Sequence, residues 1–399
     1  MSTILSYKAD CAATLVTVNG KEYPFNNAYI KSISTDYDYK NRIMPIVYMI
    51  LDVDEVLYNT ILDNATDGTI TLRCVNYDFN SGTGFKKEII NDSFIYFVPT
   101  KYNYSMDLED PNIDSSMYYE HIVLGLIKST QIYVNKQSFN GVFTETDTEK
   151  MLAKFTNGLP NLMMDELEIK TDYPELLLPP QETRSNAIDY LFNLNPFYKT
   201  SYIFFMDFKK TYLLNTSGQA RNISKSTILF QVENVDEKSA YYTGFSKDLE
   251  NGTYVIYINQ ANANVSLNTT TDKLYNQFVS TYTDEVTTVD SNIITYSKDT
   301  SNRQEFTKAN EMSTEIRKQL LDNTAVVLNL SKMNMDSTLI TPDKCFQVNY
   351  SKYSSYNGKY LLLYKKELFI RTGDNFDTTC IIGLQRIADQ TSHSGSGKK

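Results

Sequence analysis

The chain has 399 residues, of which 41% are hydrophobic and 22% charged, with 31 Tyr, 20 Phe, no Trp and a formal net charge of −10. That length suits two to four domains, and the ordinary apolar content suits a globular core. The acidic balance argues against nonspecific nucleic-acid binding, which needs Lys and Arg to displace counterions, yet an acidic wall would let DNA pass without sticking.

Residues 1–105 read as one β-rich domain with a single helix. Ala13 to Val18 and Lys21 to Phe25 flank the turn Asn19-Gly20, a hairpin signal. Ala28 to Tyr39 alternates with strand period, and Met44 to Leu51 is the next apolar strand. Asp52 or Asp54 then caps a helix to about Asp63, with Val56, Leu57, Ile61 and Leu62 facing inward. Thr69 to Asp78, Lys86 to Asn91 and Phe94 to Pro99 complete the domain as three strands.

Residues 106–175 begin with an acidic linker, Met106 to Ser116. Glu120 to Asn135 reads as a strand pair or one bent strand. A helix capped by Thr146 or Asp147 then runs to Phe155, and Glu166 to Thr171 reads as a short strand. Residues 176–320 form an α/β middle region around Leu178 to Asn215. There Pro179-Pro180 precedes a short helix, Asn195-Pro196 ends it, and Tyr202–Met206 with Thr211–Leu214 reads as a tight apolar hairpin. A further helix is expected over Asn310 to Leu321. Residues 321–390 have turns every 8–12 residues, the spacing of a small β-barrel, with Lys359 to Lys365 and Glu367 to Arg371 as separate strands. The tail 391–399, with its SGSG run, is disordered by composition.

Little here points to chemistry. Cys11, Cys74, Cys345 and Cys380 are far apart and lack a CxxC, so they read as small buried hydrophobes. His121 and His393 cannot supply both a triad and a metal site. Asp110, Asn112 and Asp114 imitate a calcium loop, but the Gly is missing and His121 stands where the bidentate Glu belongs. Gly82 and Gly84 before Lys86-Lys87 lack phosphate-loop spacing. The acid groups Asp36 with Asp38, Glu145 with Asp147 and Glu149, and Glu166 with Glu168 could pair for glycosidase chemistry; their places on strands and caps favour solvated faces and caps. No catalytic, cofactor-binding or metal-binding residue is assigned. No apolar run reaches about 18 residues, and no basic leader precedes an apolar core, so neither a secretory signal nor a transmembrane helix is expected.

The order of these pieces resembles the hub proteins of phage tails and baseplates, and the hub region of type VI secretion spikes. Three features carry the resemblance: the opening β domain with one helix; Phe139 to Phe155, followed by Gln181-Glu182-Thr183, an amphipathic helix and the aromatic hairpin Tyr202 to Leu214; and Ser354 to Tyr360 with Arg371 to Phe376 in the last barrel. In the family a Gln-x-x-Glu type helix start is usual, whereas Gln181 and Glu182 are adjacent here.

The resemblance implies an α+β, mainly β chain with two tail-tube-like barrels and an intervening α/β region. It implies a structural protein without enzymatic activity or cofactor. Three copies would form a pseudo-six-fold ring in the virion, at the tail tip or baseplate, after synthesis in the host cytoplasm. The implied partners are itself, the tail tube or distal tail protein, the spike or tip protein and the tape-measure protein. DNA would only pass through at ejection, and no membrane insertion is implied. No attached spike or lysozyme domain is expected. The composition leaves two other readings open: a distal tail ring, and a receptor- or carbohydrate-binding tail module using Tyr as stacking platforms.

Overall fold

Alternation along the first strand sets the pattern. In β1 (Lys8–Val16) the side chains of Ala9, Cys11, Ala13 and Leu15 are buried and their neighbours are not, the period of a sheet with one wet face. The computed structural model describes residues 8–39, 41–78, 85–99, 120–179, 183–198, 202–216, 227–233, 245–248, 253–259, 263–267, 324–331, 337–351 and 354–387.

The first part contains β2 (Glu22–Pro24), β3 (Ile30–Asp38), β4 (Ile46–Val53), α1 (Glu55–Asp63), β5 (Thr69–Asp78), β6 (Phe85–Phe97) and β7 (Glu120–Lys128). There follow α2 (Ser129–Asn135), β8 (Gly141–Asp147), α3 (Thr148–Thr156), β9 (Leu162–Met164), β10 (Asp172–Leu178), α4 (Arg184–Leu194), β11 (Tyr202–Met206) and β12 (Thr211–Asn215). The rest is β: β13 (Thr227–Glu233), β14 (Phe245–Asp248), β15 (Thr253–Asn259), β16 (Ala263–Leu267), β17 (Thr324–Ser331), β18 (Cys345–Tyr350), β19 (Gly358–Thr372) and β20 (Asn375–Arg386).

The fold is mainly β, with few helices, and contains a closed eight-stranded barrel. Its strands pair in the order β19-β3-β4-β7-β6-β5-β1-β20, and β20 pairs back to β19. Every neighbouring pair in this circuit is antiparallel. Eight strands enclose a space that side chains just fill. Here Ile33, Tyr37, Tyr39, Met49, Leu72, Phe94 and Leu124 belong to one buried core.

A second sheet grows from the same hairpin: β14-β15-β13-β18 continues from β19, and β17-β16 continues from β20. Within it β13 runs parallel to both β15 and β18. The helical part has its own core, in which Met151, Leu152 and Phe155 of α3 meet Ala187, Ile188 and Leu191 of α4.

The strand pairing redraws the expected domain boundaries. Residues 1–105 do not close on themselves, because the circuit needs β7 and the far half of β19 and β20. Residues 321–390 likewise share β19 and β20 with the first barrel, while β13 to β16, expected in the middle region, extend the C-terminal sheet. The linker Met106 to Ser116, the helix Asn310 to Leu321 and the tail 391–399 lie outside the described residues.

Smaller corrections have local causes. Asp54 is the cap of α1, its carboxylate accepting from Leu57 N at 2.9 Å, but only Leu57 and Ile61 are buried; Val56 is 75% and Leu62 41% exposed. The Glu120–Asn135 run is half helix, since Gln131 in α2 donates to the carbonyls of Met206 and Asp207 at 2.7 and 2.8 Å. Glu166 to Thr171 is not a strand: its backbone is held by Glu168 N and Ile169 N donating to Phe197 O.

Candidate functional site

The long hairpin Gly358–Arg386 is the only element that belongs to both sheets among the described residues. From Gly358 to Tyr360, β19 pairs with β18; from Tyr364 to Ile370 it pairs with β3. Its partner β20 pairs with β17 over Thr379–Gln385 and with β1 at Phe376 and Asp377. The change of neighbour falls at a β-bulge between Leu362 and Tyr364, a device that bends a strand. Tyr39 N donates to Leu363 O there at 3.1 Å. Across the bulge Tyr364 faces Gly383. A Cβ on Gly383 would lie 1.9 Å from the Tyr364 ring, so the ring covers a glycine and fixes the bend.

Just past the bulge the strand turns charged side chains inward. Lys365 and Glu367 are each 3% exposed. Lys365 Nζ lies 3.3 Å from Glu367 Oε1, donates to Ser337 O at 3.4 Å and sits 4.1 Å over the Tyr37 ring. Tyr37 donates its hydroxyl to Glu367 Oε2 at 3.1 Å. Burial would lower the Lys365 pKa, but Glu367 and Asp207 outweigh it and hold it above the ordinary value, so the ammonium stays charged. Burial pushes the Asp207 carboxyl up, only partly opposed by Lys365. Burial, reinforced by Glu367, pushes the Cys380 thiol up to about 12, which makes it inert. The four cysteines are free and buried.

The apolar hairpin β11–β12 closes this end of the barrel and joins it to the helices. Phe205, Phe208, Tyr212 and Leu214 pack in the barrel core, whereas Phe204, Met206 and Leu213 pack in the helical core. Phe205 meets Tyr39 at 4.7 Å between ring centroids, and Phe208 meets Phe94 at 5.8 Å. On the helical side Thr183 caps α4 by accepting from Asn186 N at 3.1 Å. Arg184, 2% exposed, donates to Phe155 O, to Asn157 O at 2.9 Å and to Gln137 Oε1. It ties the end of α3 to the start of α4.

Among the acid groups singled out in the sequence, Asp36, Asp38, Asp147 and Glu149 have named partners. Asp36 pairs with Lys366 at 3.7 Å, and Asp38 accepts from Asn41 N at 3.0 Å. Both line a groove of about 310 Å³ with Asn41, Arg42, Tyr364 and Lys366. Asp147 caps α3 through Lys150 N at 2.8 Å, Glu149 pairs with Lys170 at 2.7 Å, and Glu145 sits at φ 49°. His121 Nδ1 lies 2.8 Å from Asp52 Oδ1. Asp110, Asn112, Asp114, Gly82 and Gly84 lie outside the described residues. Among the described residues no three His, Cys, Asp or Glu side chains converge as a metal site, and no helix is long and apolar enough to cross a membrane. Lys365, Glu367, Arg184 and Gln131 went unnoticed in the sequence; the one available signal was the Lys365-Lys366-Glu367 run inside an apolar strand.

A closed barrel thus shares one long hairpin with a second sheet and is braced by a helix-plus-hairpin unit. Solved structures of similar course include a 43 kDa tail protein of prophage MuSo2 from Shewanella oneidensis, at 10% identity and a TM-score of 0.49, covering 96% of this chain and 97% of that one. A tail protein from Neisseria meningitidis MC58 matches at 9% identity and a TM-score of 0.46, covering 94% and 96%. An Escherichia coli protein, c3393, described as a type VI secretion component similar to the T4 tail proteins gp27 and gp5, matches at 4% identity and a TM-score of 0.37, covering 90% and 74%. At such identities these likenesses concern the course of the backbone and no individual side chain. No family model and no curated protein matches the sequence.

Proposed function

We infer that this chain is a structural hub of a phage tail, three copies of which form a pseudo-six-fold ring between the tail tube and the spike or tip. The observation that carries the reading is the shared hairpin: one chain joins a closed barrel and a second sheet through the same two strands. Three such chains present six β units, which would adapt a six-fold tube to a three-fold tip.

The packed interior of the barrel supports the same reading. Tyr39, Phe94, Phe205 and Tyr212 fill it, so no polymer threads a single barrel, and a conduit for DNA and tape-measure protein must lie between copies. The closed circuit offers no free strand edge, so neighbouring copies meet it through faces. The outer face of β6 offers Ile95 and Phe97, 36% and 38% exposed, as apolar contacts for such a neighbour. In this reading the chain is not an enzyme and takes no cofactor, its partners are tube, spike and tape-measure proteins, and its place is the virion tail tip.

The test is co-assembly. The purified chain, mixed with a tail tube protein, should cap tube ends in electron micrographs. Failure to bind tube protein, together with selective binding on a glycan array, would replace the hub with the receptor-binding reading.

A further inference from the structure

A small pocket of about 30 Å³ lies beside the buried ion pair, where β5, β19 and β20 meet Leu330 of β17 and Ile340, and its lining includes Asn76, Glu367 and Cys380. Two acceptors there lack a hydrogen bond among the described residues: Glu367 Oε1 and Asn76 Oδ1. Both residues are deeply buried, at 3% and 5% exposure. Asn76 stands on β5 opposite Ala9, and Glu367 stands on β19 opposite Cys380 and Thr35. The two strands are not neighbours in the barrel circuit, so the two oxygens belong to separate stretches of wall.

Glu367 Oε1 has its ion pair with Lys365 but, like Asn76 Oδ1, accepts no hydrogen bond, an unfavourable state for a buried acceptor. What satisfies both must donate two hydrogen bonds and be small. A cation would also face the oxygens, but Lys365 Nζ already lies 3.3 Å from Glu367 Oε1, and a second positive charge beside that buried ammonium is repelled. An anion would meet two acceptors. A water molecule fits both demands: it donates twice, it is neutral, and it needs only roughly 10–15 Å³ of such space. We propose that one integral water bridges Glu367 Oε1 to Asn76 Oδ1. It extends the Lys365–Glu367–Tyr37 cluster across the barrel to β5 and makes that cluster a cross-wall brace next to the bend.

The experiment is oxygen-17 magnetic relaxation dispersion on the full chain, comparing the wild type with Asn76→Leu, which removes the acceptor and fills the space. The expected result is the loss of one long-lived water from the dispersion amplitude. An unchanged amplitude in a folded variant overturns the proposal. Should Asn76→Leu not fold, a high-resolution crystal structure of the wild type grown in rubidium chloride decides. A single peak without anomalous signal, within hydrogen-bond distance of both oxygens, upholds the water. An anomalous rubidium peak, or no peak touching both oxygens, overturns it.

Discussion

Replacing Glu367 by Gln tests the buried charge pair at the bend. The substitution keeps the shape and removes the charge that faces Lys365 at 3.3 Å. Lys365 would retain Ser337 O at 3.4 Å, the Tyr37 ring and the field of Asp207. Both members of the pair are nearly inaccessible, at 3% exposure each, so solvent screens little of the loss. Breaking a buried pair from one side costs roughly 3–5 kcal/mol, whereas replacing both members by apolar residues is often neutral or stabilising. The partial compensation left to Lys365 places Glu367→Gln near the lower end, about 3 kcal/mol. That corresponds to a fall of roughly 3–5 °C in Tm for a chain of 399 residues. Differential scanning calorimetry of Glu367→Gln, of Lys365→Met, and of the double variant Lys365→Met/Glu367→Leu reads the effect. Each single variant should melt well below the double variant. Single variants that melt with the wild type would refute the buried-pair reasoning, as would a double variant less stable than both.

Four further outcomes are expected. Arg184→Lys, which cannot reproduce the guanidinium's contacts with Val134 O, Phe155 O, Asn157 O and Gln137, should lose about 2 kcal/mol or more in urea denaturation. Gly383→Ala forces the 36%-exposed Tyr364 ring off the sheet and should cost ~1–2 kcal/mol, while Gly383→Ala combined with Tyr364→Ala recovers most of that loss. Phe97→Asp should weaken self-association in sedimentation velocity while leaving the circular dichroism spectrum unchanged. Asp207 has a folded pKa raised above 3.8 by burial, so as pH falls the folded chain takes up this proton before the unfolded chain does. Its contribution therefore favours folding at low pH and is lost as pH rises from 3.8 through the raised value; Asp207→Asn should flatten that slope in melts taken across the acid range.

Much of the fold was legible in the sequence because local chemistry sets it. Asp54, Asp147 and Thr183 cap their helices through side-chain oxygens, and the Tyr202–Leu214 hairpin stands where its apolar runs put it. What escaped was long-range. Nothing local in residues 8–78 reveals that their barrel is closed by residues more than 290 positions later. Lys365-Lys366-Glu367 reads as a polar break between two strands, because charged residues rarely point inward. Here Lys365 and Glu367 neutralise each other inside the barrel while Lys366 reaches Asp36 outside, so one continuous strand runs through. Ser129–Asn135 reads as strand from Ile132, Tyr133 and Val134, yet it coils because Gln131 must reach the carbonyls of Met206 and Asp207. The acid pairs behave as their places on strands and caps suggest: Asp147 caps a helix, Asp38 holds a turn, and Asp36 and Glu149 form ion pairs.

Native mass spectrometry of the full chain tests the hub reading most directly. The account predicts one dominant species of three copies. A stable hexamer would contradict it in favour of a distal tail ring, and a chain that stays monomeric alone and with tube protein would contradict both.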